Sequence, residues 1–128
     1  MFEQDYIMRQ IRETIAVIME VMFGEKLESA DDILEYQKKY GGGDDDSYLF
    51  RMIDSGEIIK AEELLYESIR TKSAANLLKG FAFYQYLAQQ DDDFLEDHGY
   101  SRLQIAEGFK RFAALFDAAH LTALFLPE

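Results

Sequence analysis

The first 23 residues constrain the fold more than any other part of the chain, because their pattern is that of a helix with several apolar sides. One stripe repeats at spacings of four, four, three and four, which is the repeat of a single helix face: Ile7, Ile11, Ile15, Ile18 and Met22. Between Ile15 and Phe23 the other faces are apolar too, and Glu20 is the only charge. We therefore expect this helix either at the centre of the fold or against a second subunit.

The length and composition favour one globular domain spanning residues 1–128. Hydrophobic residues make up 48% of the chain, with ten Phe and eight Tyr, so material for a core is plentiful. The single proline is Pro127, which leaves every earlier segment free to form helix. The absence of cysteine excludes disulfides, thiolate zinc sites and cysteine nucleophiles, and it fits a reducing compartment.

The charge balance excludes two classes of partner. A formal net charge of −12 repels phosphates, so we expect binding neither to nucleic acid nor to an anionic membrane surface. The sequence has no recognisable signal peptide, and its longest apolar run, residues 15–23, is far shorter than the roughly 20 residues that a bilayer span needs. The expected location is the cytoplasm.

The remaining periodicity predicts an all-α fold, a compact bundle of about six helices in antiparallel hairpins. The predicted helices cover residues 3–23, 30–40, 46–54, 57–70, 73–90 and 102–116, with a short turn near Phe94 and an apolar tail at 120–126. Ser29 with Asp32 and Ser101 with Gln104 have the spacing of capping boxes. Residues 41–46, three glycines and three aspartates, predict a flexible loop.

The segment 48–70 also has features of a tetratricopeptide unit. Gly56 falls in the turn, and Ala61 and Leu65 match the small and large packing positions of the second helix. Leu49, Met52 and Ser68 depart from the pattern, and a shift by about 34 residues recovers little of it. Tetratricopeptide-like stacking and a non-repetitive bundle therefore both stay open.

Two stretches carry a family resemblance. Residues 1–13 read MFEQDYIMRQIRE, and residues 91–101 read DDDFLEDHGYS after Tyr84 and Tyr86. Both resemble segments of a family of small, functionally uncharacterised all-helical proteins from Gram-positive anaerobic bacteria. The resemblance implies a helical cytoplasmic protein of unknown role, and it brings no catalytic or ligand residues with it.

The densest set of possible metal ligands is the acidic stretch before Gly99. Asp91, Asp93, Glu96 and His98 would supply oxygen and imidazole ligands, and an alternative function is therefore a metal-dependent hydrolase or metal-binding protein. Consecutive aspartates point in different directions, however, and such residues also cap helices. His98 and His120 lack a nucleophile at a recognisable spacing. We expect no catalytic residue and no cofactor, with His98 bonding a carbonyl at a helix end.

Protein interaction is the leading functional hypothesis. The first helix would pack inside the fold or across a homodimer, and the protein partner is otherwise unknown. Met, Arg and aromatic side chains are typical of such interfaces, and the candidate interface residues are Phe2, Tyr6, Met8, Arg9, Arg12, Met19, Met22 and Phe83. Phe83 is expected to be exposed, since a core covers one face of a helix and the neighbouring Phe81 and Tyr84 would occupy it. A third hypothesis is a small-ligand pocket among the aromatic side chains.

Overall fold

The computed structural model confirms the all-α class. It describes residues 2–27, 29–40, 47–71 and 73–116, without the side chains at positions 2–5, 7 and 40. The described residues form seven helices and no strand: α1 (Phe2–Phe23), α2 (Ala30–Tyr40), α3 (Tyr48–Asp54), α4 (Ile58–Ser68), α5 (Ala74–Ala88), α6 (Asp92–Asp97) and α7 (Arg102–Leu115). The predicted loop at 41–46 and the predicted tail at 120–126, with His120, lie outside the described residues.

Helix α5 occupies the centre of the bundle. Eleven of its fifteen residues are buried, and it packs against α1, α2, α3 and α7. A helix that is covered on all sides must be apolar on all sides, and the run Phe81-Ala82-Phe83-Tyr84 meets that demand. The central position, one of the two places expected for the first helix, therefore belongs to α5.

Helices α2 and α4 run antiparallel to α5. The start of α2 meets the end of α5, where the Ala30 amide donates to Gln89 Oε1 at 3.2 Å, and Gln37 near the end of α2 donates to the Ala75 carbonyl at 3.1 Å. In α4, Glu62 contacts Tyr84, whereas Ser68 accepts a hydrogen bond from Lys79 at 3.2 Å. Leu27, in the segment that follows α1, also packs on the core.

The stripe on α1 is buried as far as Ile18, but not at Met22. Ile11, Ile15 and Ile18 are completely buried where α1 packs on α5 and α7. Met22 continues the same stripe but is 46% exposed, so its expected burial is wrong for this chain on its own. The physical reason is that the last turn of α1 is covered only on the side of Phe23, which packs on the core and on Tyr36. The side chain of Ile7 lies outside the described residues.

Phe83 is the second correction, because it is fully buried and not exposed. The prediction assumed that a core hides one face of α5, whereas neighbours cover this helix on opposite faces. Phe83 meets Tyr84 edge-to-face at a centroid distance of 5.2 Å. The expected burial of Phe81 and Tyr84 is confirmed.

Local signals in the sequence place most helix ends correctly. Ser29 Oγ accepts from the Asp32 amide at 3.1 Å, and Ser101 with Gln104 forms the complete reciprocal capping box. Gly24 follows α1 with φ +70°, a left-handed backbone that suits glycine. Residues 92–97, expected as a turn, form the short helix α6, which accounts for seven helices instead of six.

The helix pairs do not form a simple repeat. Helices α3 and α4 pack on each other across the turn at Ser55 and Gly56, as expected of the hairpin. The most extensive packing, however, joins α2 to α5, and α1 packs on α7 from the other end of the chain. A solenoid joins each unit to its neighbours in sequence. Tetratricopeptide-like stacking therefore gains no support from this arrangement.

Two helical glycines allow α7 to approach its neighbours. A Cβ atom at Gly80 would overlap the Phe112 ring, and one at Gly108 would lie 2.8 Å from Glu62 Oε2 and 2.9 Å from the Tyr84 ring. We expect Gly80→Ala to lower the free energy of unfolding by about 1–3 kcal/mol, because the added methyl group overpacks this contact. At an uncrowded helix position the same change would stabilise by about 0.5–1 kcal/mol. Urea unfolding followed by circular dichroism distinguishes the two signs, and stabilisation would contradict the close contact.

Candidate functional site

The most unusual polar feature is a carboxylate enclosed by tyrosines where α4, α5 and α7 meet. Tyr84 donates to Glu62 Oε2 at 2.5 Å, and Tyr100, just before α7, donates to Glu62 Oε1 at 3.1 Å. The Tyr66 hydroxyl lies 3.1 Å from that of Tyr84, and Arg111 Nη2 lies 3.7 Å from Glu62 Oε2. We call these five residues the Glu62 cluster. Both carboxylate oxygens are thereby hydrogen-bonded, as a largely buried charge requires.

Burial and charge act on the tyrosines of this cluster in the same direction. Burial raises the pKa of Tyr84 well above its usual value, and the neighbouring Glu62 charge raises it further. The pKa of Tyr100 is also raised by burial and then by Glu62. Both hydroxyls therefore stay protonated and remain hydrogen-bond donors at neutral pH. Neither of these two hydroxyls therefore has the lowered pKa of an activated nucleophile.

The Glu62 cluster was missed in the sequence, although a signal for it exists. Glu62 lies four residues after Ile58 and three before Leu65, so it falls on the buried stripe of α4. An acid on an apolar stripe predicts a buried partner. Its partners Tyr84 and Tyr100 are 22 and 38 residues away, and periodicity cannot pair residues at such distances.

Beside the cluster, an open trough runs between α4 and α7. One cavity of about 370 Å³ is lined by Ile59, Glu62, Glu63, Tyr66, Arg111 and Leu115. A second cavity of about 350 Å³ is lined by Ile59, Glu62, Tyr100, Gln104, Glu107 and Arg111. The two cavities share Ile59, Glu62 and Arg111, so they form one continuous depression. We call it the α4–α7 trough.

The acidic stretch proposed as a metal site does not converge. No three histidine or acidic side chains of the described residues are grouped so that they could hold a metal ion, which removes the basis for Asp91, Asp93, Glu96 and His98 as a ligand set. Asp91 precedes α6 at its N-cap position, whereas Asp93 and Glu96 are exposed on that helix. The neighbouring Asp92 pairs with Arg102. The metal-dependent hydrolase hypothesis therefore has no site here.

His98 has a packing role that its position in the acidic stretch of the sequence did not indicate. Its Nδ1 lies 2.8 Å from the Phe94 carbonyl oxygen, which confirms the expected contact with a carbonyl at a helix end. The ring packs on Phe94, with a centroid distance of 4.5 Å, and covers Gly56, where any Cβ atom would overlap it. Gly56 has φ +85°, so both its backbone and its surroundings favour glycine. His98 thus joins α6 to the α3–α4 turn.

The candidate interface residues separate into two groups. Met8, Met19 and Phe83 are buried in the core, with at most 2% of each residue exposed, and cannot reach a partner in this packing. Tyr6, Arg9, Arg12 and Met22 are exposed, and the Phe2 side chain lies outside the described residues. Val21, which is not among the predicted interface residues, is 66% exposed, more than any other large apolar side chain described on α1. Among the described residues, no helix has the length and apolar character that a membrane crossing requires.

Comparison with known proteins gives one match. A family model described as a family of unknown function (DUF6483) matches residues 1–117. No curated protein and no solved structure shows significant similarity to the chain. The match agrees with the resemblance to an uncharacterised family, and it covers nearly all of the chain. The chain belongs to this family of unknown function, DUF6483.

Proposed function

We propose that the chain is a non-enzymatic helical interaction protein that forms a homodimer through the outward face of α1. The observation that supports this proposal is the exposed apolar surface of α1, where Val21 is 66% and Tyr6 51% exposed. Tyr6, Gln10, Val17 and Val21 are spaced by four, seven and four residues, so they share one side of the helix. We call these four residues the outer stripe. Aromatic and aliphatic side chains in such a stripe are typical of interface cores.

The outer stripe is complementary to a second copy of itself. If two copies of α1 pack antiparallel, Tyr6 of one faces Val21 of the other and Gln10 faces Val17, because both pairs share a midpoint between residues 13 and 14. The Tyr6 hydroxyl accepts a hydrogen bond from Gln10 at 2.8 Å, which holds the ring along the stripe. Arg9 and Glu20, of opposite charge, flank this stripe and would approach each other across the two-fold axis. This is the pattern of an isologous dimer.

Met22 belongs to the opposite side of α1, with the buried stripe, and therefore contributes nothing to this dimer. Arg12 lies on a different side of α1 from the outer stripe and would remain in solvent. Homodimer formation, an adaptor role and a cytoplasmic location together make up the proposed function.

Light scattering on the protein at micromolar concentration tests the dimer. We expect a particle of twice the 14.8 kDa chain mass and a return to the single-chain mass in Val21→Glu, because the new carboxylate would be desolvated against Tyr6. Leu103→Glu is the matched control, since Leu103 on α7 is 57% exposed and lies away from α1's outer stripe. A wild-type particle of 14.8 kDa, or a dimer that survives Val21→Glu, would overturn the proposal.

A further inference from the structure

The α4–α7 trough combines apolar edges with an acidic lining. Ile59 on α4 is 57% exposed and Leu115 on α7 is 40% exposed, and the Tyr66 ring contributes to the wall between them. These are large apolar side chains that the described part of the fold leaves in contact with water. Because they line one depression, their exposure is concentrated and not scattered.

The dimensions of the trough suit a short helix. Its lining on α7 extends from Gln104 to Leu115, which corresponds to about 16 Å along that helix, or three helical turns. Grooves between two helices commonly receive the apolar face of a third helix, whose anchors recur every three to four residues. An occupant of three turns would present about four such anchors.

The charges of the trough determine which side chains are favoured beside the apolar face of the occupant. Its lining contains Glu62, Glu63 and Glu107 but only one base, Arg111. Glu62 already accepts hydrogen bonds from Tyr84 and Tyr100 and lies next to Arg111, so its charge is directed inward. Glu63 and Glu107 are exposed at the surface. These two carboxylates, on a chain with a net charge of −12, favour cationic side chains on the occupant.

We propose that the α4–α7 trough binds the apolar face of a basic amphipathic helix of a partner protein. Ile59, Tyr66 and Leu115 would contact its apolar anchors, while Glu63 and Glu107 would attract the Lys or Arg residues beside them. The contact uses α4 and α7, whereas the dimer uses the outer stripe of α1. The inference therefore goes beyond the proposed function and does not rest on it.

A labelled synthetic peptide tests the trough directly. The probe has Leu at every third or fourth position and Lys elsewhere over about 16 residues, and its control is a scrambled peptide of the same composition. Fluorescence anisotropy at physiological salt is expected to show the ordered peptide binding about tenfold tighter than the scrambled one, because only the ordered peptide gathers its Leu residues on one helix face.

Matched variants locate the binding surface. Ile59→Asn is expected to weaken binding about tenfold, whereas Leu103→Asn, at a residue of equal exposure outside the trough, leaves it unchanged. The double variant Glu63→Gln and Glu107→Gln is expected to weaken binding and to reduce its salt dependence. Val21→Glu should bind the peptide as well as the wild type does, which separates this result from that of the dimer test.

Three outcomes would overturn the inference. Equal binding of the ordered and scrambled peptides would mean attraction to an acidic surface without a groove. An unchanged affinity in Ile59→Asn would place the peptide elsewhere. A particle mass that falls in Ile59→Asn but not in Val21→Glu would assign the trough to a second copy of this chain instead of a basic partner.

Discussion

Phe112→Ala is expected to lower the free energy of unfolding by about 3–5 kcal/mol, a large part of the stability of a domain of this size. Phe112 is fully buried on α7. Its ring lies against four others, with centroid distances of 4.9 Å to Phe116, 5.8 Å to Phe81, 6.0 Å to Tyr84 and 6.3 Å to Tyr66. The α5 backbone at Gly80 also packs on its face. Truncation would leave a cavity between α5 and α7, and Gly80 has no side chain that could fill it.

Urea unfolding followed by helical circular dichroism measures this loss. Leu115→Ala is the control, because Leu115 lies one turn later on the same helix and is 40% exposed. We expect that variant to change the stability by only about 0.5 kcal/mol, as is usual at the surface. A loss below about 1 kcal/mol in Phe112→Ala would mean that α7 does not pack on α5 as described.

Removing the Glu62 carboxylate is expected to have the second largest effect. In Glu62→Ala the Tyr100 hydroxyl loses its acceptor, and the Tyr84 hydroxyl keeps only its contact with Tyr66. Each buried hydroxyl left without its partner costs about 1–3 kcal/mol. Glu63→Ala is the matched control, since Glu63 is the next residue on α4 but is exposed. Equal stability of the two variants would show that the Glu62 hydrogen bonds do not stabilise the fold.

The same cluster determines how stability responds to alkaline pH. In the folded state the pKa of Tyr84 and that of Tyr100 are raised above the usual tyrosine value of about 10. A group with a raised pKa in the folded state contributes its full stabilisation below the unfolded pKa and loses it as the pH rises. Stability should therefore fall above pH 10, and Tyr84→Phe should make the fall shallower. Thermal melting across a pH series measures both slopes.

Helix positions were predictable because their signals are local. The Ser101–Gln104 box, Gly24 after α1 and the turn at Gly56 each act over a few residues, and each is present as expected. The stripe of Ile11, Ile15 and Ile18 likewise identified the buried face of α1. Periodicity does not predict how many other helices surround each helix. That number decides why Phe83 is buried and why Met22 is exposed.

The candidate site shows the same difference between what local sequence predicts and what depends on the folded arrangement. The many acidic residues near His98 predicted a possible metal site at residues 91–98. Side chains that are close in sequence need not converge in space, and these do not converge. The Glu62 cluster joins residues from three helices and a loop, and only the folded arrangement brings them together. The α4–α7 trough was equally hidden, because Ile59 and Leu115 are 56 positions apart and each alone is an ordinary exposed residue.

The central place of α5 has a consequence for synthesis on the ribosome. The surface that α1 and α2 need on α5 is complete only when translation has passed residue 88. Translation delivers residues far more slowly than helices pair. During that interval the apolar side chains of the amino-terminal segment lack the surface that covers them in the folded protein.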